Sequence, residues 1–532
     1  MKSAEDLRPL TSLRFVGTKV SEWWILLLPV SLWIWLCHDW PFRIGFYADD
    51  WTVLLHPAQG TLGSFIDVLK LVASRPVSAP YIWLAQVFVN WSPTHSQILN
   101  VAMLLLASAS VGFLAFALAV ASRMQEGAAA AACAASSAFI VFPSTVGIFA
   151  WGTGVSAVIP ALPLFCLGMG LLLHSEKIGW RLGAGLLSVL LSHLSYEAFY
   201  FQEITVVLLA AALRGGRVSE LPWRVLAGVV TINIVCVVFN RSIDIGIHKS
   251  FNPDFLLTFT WSYSQIGDIF DHAVREHDVA ASTSVLGAAL FGSICLVRTV
   301  GFARTLAAAL VMICGVVAAG FLYAFAGPTY GLAVEGIAAR VSVVLAMYSA
   351  IVTGMLASAA WRSINSEDKV SALSALAFCI YTGIGFLALD AAARYRVSDW
   401  ARTWVYEAAR LSRLPADVPT TADGLRIFLA IEDAPPSVVD LASQPWEIGG
   451  AVAWSIYRRT KDRSMMLGIW NHDLHWHGTP DNWFNRWDGS RFEQGLCANM
   501  ATSYSVQGAE LWAWKTSTSE LFRLEAPWQH GC

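Results

Sequence analysis

Residues 98–122 read ILNVAMLLLASASVGFLAFALAVAS, a run of 25 residues without Asp, Glu, Lys or Arg. An α-helix rises about 1.5 Å per residue, so roughly 20 apolar residues cross the ~30 Å hydrocarbon core of a bilayer. The run is long enough to do so in a single helix. It therefore predicts a transmembrane helix and an integral membrane protein.

The composition of the whole chain supports a membrane protein. Of its 532 residues, 56% are hydrophobic and 14% are charged, and the mean hydropathy is +0.54. Soluble proteins carry about 25% charged residues, so lipid must cover part of this apolar surface. The net charge of -3 excludes the strongly basic class of nucleic-acid-binding proteins. The 24 tryptophans are typical of membrane interfaces and of sites that stack on sugar rings.

Ten further apolar runs predict, together with residues 98–122, about eleven transmembrane helices. The first run follows four basic residues and lacks a small-residue cleavage site, so it predicts an uncleaved helix with a cytoplasmic N-terminus. The eleven runs lie at 23–37, 98–122, 128–143, 155–173, 182–195, 198–213, 225–239, 283–297, 305–323, 340–360 and 370–389.

The connections between the runs predict the orientation. The connections assigned to the cytoplasm carry Lys or Arg, whereas the short turns at 144–154 and 195–198 carry none. Cytoplasmic loops are enriched in basic residues, so eleven spans place the C-terminus outside the cytoplasm, in a multi-pass cell-membrane protein. The long outer segments 38–97 and 240–282 are predicted to lie along the membrane surface as short helices.

The composition changes after residue 390. Residues 1–390 are predicted to form the transmembrane domain, and residues 391–532 a polar extracytoplasmic domain in which 426–431 and 511–514 resemble strands. Cys497 and Cys532 could form a disulfide there. The predicted fold class is mainly α: a polytopic helical membrane protein with a small C-terminal α+β domain.

Two adjacent carboxylates, Asp49 and Asp50, lie about ten residues beyond the first run, on the predicted outer side. A carboxylate there can act as a general base, bind a divalent metal or hold an acceptor hydroxyl. Asp is also a favoured helix N-cap, so a purely structural role stays open. On this basis Asp49 is the favoured base, and Asp50 is a helix cap or a metal or acceptor ligand.

Arg75 and His95 follow on the same outer segment. Arginine carries a permanent charge and a planar fork of donors that can bind a phosphate through two hydrogen bonds. The alternative for Arg75 is an arginine that extends to the headgroups, and the alternative for His95 is a polar helix end.

Two pairs complete the candidate residues. Tyr196 and Glu197 lie between two apolar runs, where a carboxylate is costly unless it faces a cavity, a partner or water. Glu335 and Arg340 flank an apolar segment and could pair with each other, or Arg340 could contact a lipid phosphate.

The order of these motifs resembles the GT-C class of membrane glycosyltransferases, in particular bacterial enzymes that glucosylate O-antigen and other envelope glycans. The resemblance covers about residues 15–390. It rests on one helix followed by Asp49-Asp50-Trp51, on Arg75-Pro76-Val77 where leucine is usual at the third position, on His95 with Leu99-Asn100, and on Tyr196-Glu197.

The resemblance implies an inverting transfer of a hexose or pentose from a polyprenyl-phosphate donor to a glycan or other extracytoplasmic acceptor. Asp49 or Asp50 would accept the proton of the acceptor hydroxyl, and Arg75 and Arg340 would neutralise the departing lipid phosphate. Tyr196, Glu197, Glu335 and His95 would line the substrate site. Some members use a divalent metal and others do not, so no cofactor is certain.

Two other classes of function stay open. A transporter or flippase of lipid-linked glycans would explain the many spans, but it predicts repeats and helices broken at the membrane centre. A glycan polymerase or ligase is chemically close to a glycosyltransferase. The clustering of the candidate residues at the outer boundary favours the glycosyltransferase.

Overall fold

A computed structural model describes most of the helical part of the chain and short pieces of its C-terminal part. The described residues are 27–47, 50–54, 61–175, 179–215, 222–242, 279–324, 342–364, 367–413, 427–431, 451, 454–455, 457–459, 474–477, 510–515, 518 and 520–524. They fold mainly into α-helices, as the sequence predicts.

The helices are numbered in chain order. They are α1 (Leu27–Cys37), α2 (Trp40–Arg43), α3 (Asp50–Val53), α4 (Leu62–Leu71), α5 (Ala79–Val89), α6 (Pro93–Ala121), α7 (Ala128–Ile140), α8 (Thr145–Phe149), α9 (Gly152–Leu173), α10 (Trp180–His193), α11 (Gln202–Arg214), α12 (Trp223–Ser242), α13 (Val279–Val300), α14 (Phe302–Ala324), α15 (Val343–Ile364) and α16 (Lys369–Ser412). Single 3-10 turns at Pro76–Ser78, Gln125–Gly127 and Glu197–Phe199 separate some of them.

Seven of the described helices are long and apolar enough to cross a bilayer: α6, α9, α12, α13, α14, α15 and α16. They lie at seven of the predicted runs, which agrees with a helical membrane protein. Helices α1, α7, α10 and α11 lie at the other four runs, but their described lengths of 11, 13, 14 and 13 residues fall below the ~20 residues of a full span. The count of eleven spans stays a prediction.

Contacts between helix ends define two faces of the bundle. The Arg362 side chain donates to the Arg123 carbonyl over 3.5 Å, and Arg298 pairs with Asp368 over 3.2 Å. The connections after α6, α13 and α15 therefore meet at one end, which we call the basic face. At the opposite end, called the loop face, α1 ends and α6 and α9 begin. The basic residues predict that the basic face is cytoplasmic.

Small residues hold the centre of the bundle together. Helix α7 reads AAAAACAASSAFI and packs between α6 and α15. The Ser136 hydroxyl donates to the Ser108 carbonyl of α6 over 2.9 Å. Small side chains allow close approach of helix backbones and so favour packing in a bilayer, where apolar surface alone does not drive association.

Helix α16 extends well beyond the loop face. Its 44 residues correspond to about 66 Å, of which about 32 Å separate Lys369 from Asp390. The Arg394 guanidinium lies 4.8 Å from the ring centre of Trp35, close to the end of α1. The residues that follow therefore project past the loop face. The predicted domain boundary between residues 390 and 391 lies inside this helix.

The described C-terminal residues include a four-stranded sheet of order β2-β1-β3-β4. Its strands are β1 (Ile427–Ile431), β2 (Leu474–His477), β3 (Glu510–Lys515) and β4 (Glu520–Leu524). Strand β1 pairs in parallel with β2 and β3, and β4 is antiparallel to β3. Both segments that resemble strands in the sequence are strands here. Cys497 and Cys532 lie outside the described residues, and the extent of the α+β domain stays a prediction.

Candidate functional site

A buried glutamine joins the first loop, which is the segment 38–54 after α1, to the bundle. Gln97, near the start of α6, accepts a hydrogen bond from the Trp40 indole over 2.8 Å. Its amide nitrogen donates to the Gly45 carbonyl over 2.7 Å and to the Ala150 carbonyl over 3.0 Å. One fully buried side chain thus joins the Trp40 side chain and the backbone at Gly45 and Ala150 at the loop face. Nothing in the sequence pattern singled it out.

Asp50 is fully buried and binds the N-terminus of α9. One carboxylate oxygen accepts from the Thr153 N–H over 2.7 Å and from the Thr153 hydroxyl over 2.9 Å. The other accepts from the Gly152 N–H over 3.1 Å and from the Tyr47 N–H over 3.3 Å. A carboxylate has about four lone-pair sites, so these donors occupy its capacity. Asp50 therefore caps a helix that starts about 100 residues later in the chain.

Gly152 makes this close approach possible. A Cβ atom at this position would lie 2.5 Å from the Leu54 side chain, 3.2 Å from the Ser96 hydroxyl and 3.3 Å from the Asp50 carboxylate. A Cβ atom at this position would require the Leu54 side chain to move and would crowd the Ser96 hydroxyl and the Asp50 carboxylate. The loop-face end of α9 is thus shaped to receive the part of the first loop around Asp50, which we call the acidic loop.

Burial raises the pKa of Asp50 from 3.8 to about 7, although its hydrogen bonds with Thr153, Gly152 and Tyr47 act in the opposite direction. In the folded protein the carboxyl therefore holds its proton more tightly than in the unfolded chain. The stability that this group contributes is full below pH ~4 and is lost as the pH rises to about 7.

We therefore expect the thermal midpoint of the purified protein to fall between pH 4 and 7 more steeply in the wild type than in Asp50→Asn. The rise in the pKa of Asp50 corresponds to a change of about 4 kcal/mol at most in the free energy of unfolding. Tryptophan fluorescence during heating measures the midpoint. Asp67→Asn, at an exposed residue of α4, is the control and should keep the wild-type slope. Equal slopes in the wild type and Asp50→Asn would contradict the expectation.

Arg75 and Glu197 form a two-point ion pair. The Arg75 Nε donates to one carboxylate oxygen over 2.9 Å, and its Nη2 donates to the other over 2.7 Å. The guanidinium also lies 5.0 Å from the ring centre of Tyr196. The two charged side chains are 31% and 28% exposed, so the pair can be reached from outside the protein. Three predicted site residues therefore meet, although Arg75 is 122 residues from Glu197.

The pair lies at the tip of a helical hairpin. Helix α10 rises from the basic face, and α11 returns to it, with legs of about 21 and 20 Å that are too short to cross a bilayer. The Ser192 hydroxyl at the tip donates to the Ala161 carbonyl, which is about 13 Å along α9 from its start at Gly152. Ser78 donates to the Ser195 carbonyl over 3.1 Å, so the outer segment descends to meet the tip.

A buried polar network supports this tip, and sequence reasoning missed it. The His193 imidazole contacts the Glu203 carboxylate, and both side chains are fully buried. Asn233 of α12 donates to Glu203 over 3.3 Å and accepts from the Phe201 N–H over 2.8 Å. Phe201 has a φ of 65°, a costly conformation for a bulky residue. A His and a Glu inside two apolar runs are the signal that could have revealed the network.

The network also reaches α15 and a second position of α12. The Tyr348 hydroxyl of α15 donates to the Gln202 side-chain oxygen over 2.5 Å, and Asn240 of α12 donates to the Tyr200 hydroxyl over 2.7 Å. The His193 and Tyr200 rings are 4.7 Å apart. The tip is therefore held by α12 and α15 as well as by its own legs.

Of the remaining predicted residues, His95 is the one that lies within the described part of the chain. The exposed His95 ring packs against Phe88, and the backbone N–H of His95 donates to the Ser92 hydroxyl, which caps α6. Asp49, Glu335 and Arg340 lie outside the described residues. Among the described residues, no group of three or more His, Cys, Asp or Glu side chains could hold a metal ion. Metal binding by Asp49 and Asp50 stays a prediction.

Comparisons with known proteins identify no relative of this chain. No family model matches it, and neither a curated protein nor a solved structure matches it at a significant level.

Proposed function

We propose that this chain is a membrane glycosyltransferase that moves a sugar from a polyprenyl-phosphate donor to a glycan or other acceptor at the loop face. The observation that carries the proposal is the convergence of the acidic loop and the Arg75–Glu197 pair on α9. Asp50 caps the first residues of this helix, and the turn at 76–78 and the hairpin tip contact it farther along. The acidic loop and the exposed arginine thus contact the same helix. A carboxylate can activate the acceptor hydroxyl, and an arginine can bind the phosphate that leaves with the lipid.

The residues then take distinct roles. Asp50 fixes the loop, and its neighbour Asp49 accepts the proton of the acceptor hydroxyl as the anomeric carbon is attacked. Arg75 binds the phosphate that leaves with the lipid, while Glu197 and Tyr196 hold its guanidinium in one plane. The roles of Arg340, Glu335 and His95 as further substrate contacts belong to the same proposal. The loop face is extracytoplasmic, in agreement with the charge asymmetry.

The broken hairpin favours a transporter of lipid-linked glycans as a second candidate. Transporters place discontinuous helices at their substrate sites, and the break between His193 and Gln202 begins next to Ser192, which contacts α9 about 13 Å from its start at the loop face. A transporter would move the intact lipid-linked sugar between leaflets. It would not release a lipid phosphate.

One experiment separates the two candidates. The purified protein is incubated with a panel of polyprenyl-phosphate sugars and crude envelope glycan acceptors, and release of free polyprenyl phosphate is measured. The glycosyltransferase predicts acceptor-dependent release with one donor of the panel. No release by any donor, together with exchange of labelled donor between the leaflets of proteoliposomes, would favour the transporter.

A further inference from the structure

The first loop packs against the projecting part of α16. The Tyr47 hydroxyl donates to the Trp400 carbonyl over 2.5 Å, and the two rings are 4.5 Å apart in an edge-to-face arrangement. The Trp404 indole lies on the Gly45 backbone, where an added Cβ atom would be 2.0 Å from the ring. Phe46 and Tyr47 are almost completely buried as a result.

These contacts are directly linked to the acidic loop. The Asp50 N–H donates to the Tyr47 carbonyl over 2.9 Å, and the Tyr47 N–H donates back to the Asp50 carboxylate. A displacement of Tyr47 would therefore displace Asp50. Since Asp49 is bonded to Asp50, it would move as well.

The segment 451–459 continues the same packing. The Trp454 ring is 5.5 Å from Trp404 and 6.4 Å from Phe46. Ser455 donates to the Leu411 carbonyl over 2.7 Å and so attaches the segment to the end of α16. Residues from beyond position 390 thus enclose the first loop from the side opposite the bundle.

A strained turn after α5 is a second, independent observation that the C-terminal residues hold this region in one conformation. Asn90 and Trp91, which follow α5, have φ values of 43° and 66°, so two consecutive non-glycine residues are left-handed. Asn adopts this conformation readily at the end of a helix, whereas for a bulky residue such as Trp91 it costs on the order of 1–3 kcal/mol and persists where the surroundings fix it. The Trp454 indole donates to the Trp91 carbonyl over 3.2 Å, and the Tyr457 ring packs on Trp91.

The strained turn is also connected to the acidic loop. Gln86, one turn before the end of α5, donates to the Val53 carbonyl over 2.7 Å, and the Asn90 N–H donates to the Gln86 carbonyl over 3.1 Å. The end of α5 therefore holds the end of α3, which begins at Asp50. Trp454 is therefore connected to the acidic loop in two ways. It packs against Phe46, and it donates to Trp91 in the turn after α5.

We propose that Trp400, Trp404, Trp454 and Tyr457 form an aromatic buttress whose role is to position the acidic loop for catalysis. The C-terminal part of the chain is then a component of the active site and not a separate binding module. This proposal rests on the proposed glycosyltransferase function for its catalytic meaning. Its structural content, that the buttress restrains residues 44–54, can be measured without any activity.

Hydrogen exchange of the full-length protein, followed by mass spectrometry, tests the restraint. Trp404→Leu removes the ring from Gly45, and Trp454→Phe keeps a ring but removes the donor to Trp91. We expect exchange in residues 44–54 to rise at least tenfold in Trp404→Leu, and exchange at residues 90–92 to rise in Trp454→Phe. Trp180→Leu, at an exposed residue near the basic face, is the matched control and should leave both segments unchanged.

The outcomes separate the proposal from the function on which it rests. Exchange in residues 44–54 that is the same in Trp404→Leu as in the control would overturn the buttress. If the wild type transfers sugar, the buttress predicts that Trp404→Leu and the milder Trp454→Phe lower kcat and leave KM for the donor unchanged. A change confined to KM would overturn the positioning role. A wild type without transfer activity would refute the glycosyltransferase and leave the exchange result valid.

Discussion

Replacement of Arg75 by lysine is expected to lower kcat for sugar transfer by about 10²–10³, the usual effect of removing a donor that stabilises developing negative charge. Lysine keeps the positive charge but is a point charge on a flexible chain. It cannot make both of the hydrogen bonds that the guanidinium makes to Glu197. Release of polyprenyl phosphate under single-turnover conditions measures the effect.

A double-mutant cycle with Glu197→Gln separates the binding of phosphate by Arg75 from the support that Glu197 gives to the Arg75 guanidinium. Because the two residues act as a unit, Arg75→Lys combined with Glu197→Gln should be little worse than Arg75→Lys alone. Glu197→Gln alone should cost less than Arg75→Lys, since it leaves the guanidinium in place. Arg43→Lys is the matched control, because Arg43 forms a more exposed pair with Asp39 at the same face. Wild-type rates in Arg75→Lys would contradict the phosphate role.

The positions of the helices could be predicted because hydrophobic length is a local property of the sequence. The end of α16 could not. The composition changes near residue 390, but this change does not coincide with the end of the helix. Residues 391–412 contain neither Gly nor Pro, and they include Trp400 and Trp404, which pack on the first loop. The helix therefore continues to Ser412.

The types of residue in the candidate site could be predicted, but their partners could not. Arg75, Tyr196 and Glu197 could each be recognised from their chemistry and from their positions relative to the apolar runs. Their contact depends on how the hairpin tip meets the outer segment, and no local pattern encodes that. A helix cap at Asp50 was one of the open alternatives. The helix that it caps is α9, which only the tertiary fold brings near.

The structure makes different predictions for the two neighbouring aspartates. The Asp50 carboxylate accepts four hydrogen bonds from donors of the protein. In Asp50→Asn an amide group would face two backbone N–H groups that now donate to oxygen. A buried N–H group that loses its acceptor costs about 1–3 kcal/mol, so we expect a loss of roughly 2–4 kcal/mol of stability. Loss of activity in this variant would not identify a base.

Asp49→Asn is the informative change. If Asp49 is the base, sugar transfer should fall by about 10²–10⁴, because the amide cannot accept the hydroxyl proton. The thermal midpoint and the affinity for the donor should stay at wild-type values, whereas Asp50→Asn should lower the midpoint. Measurement of all three quantities on both variants gives a clear result. Wild-type transfer by Asp49→Asn would exclude Asp49 as the base. Wild-type transfer by both variants would reduce the acidic loop to a structural anchor of α9.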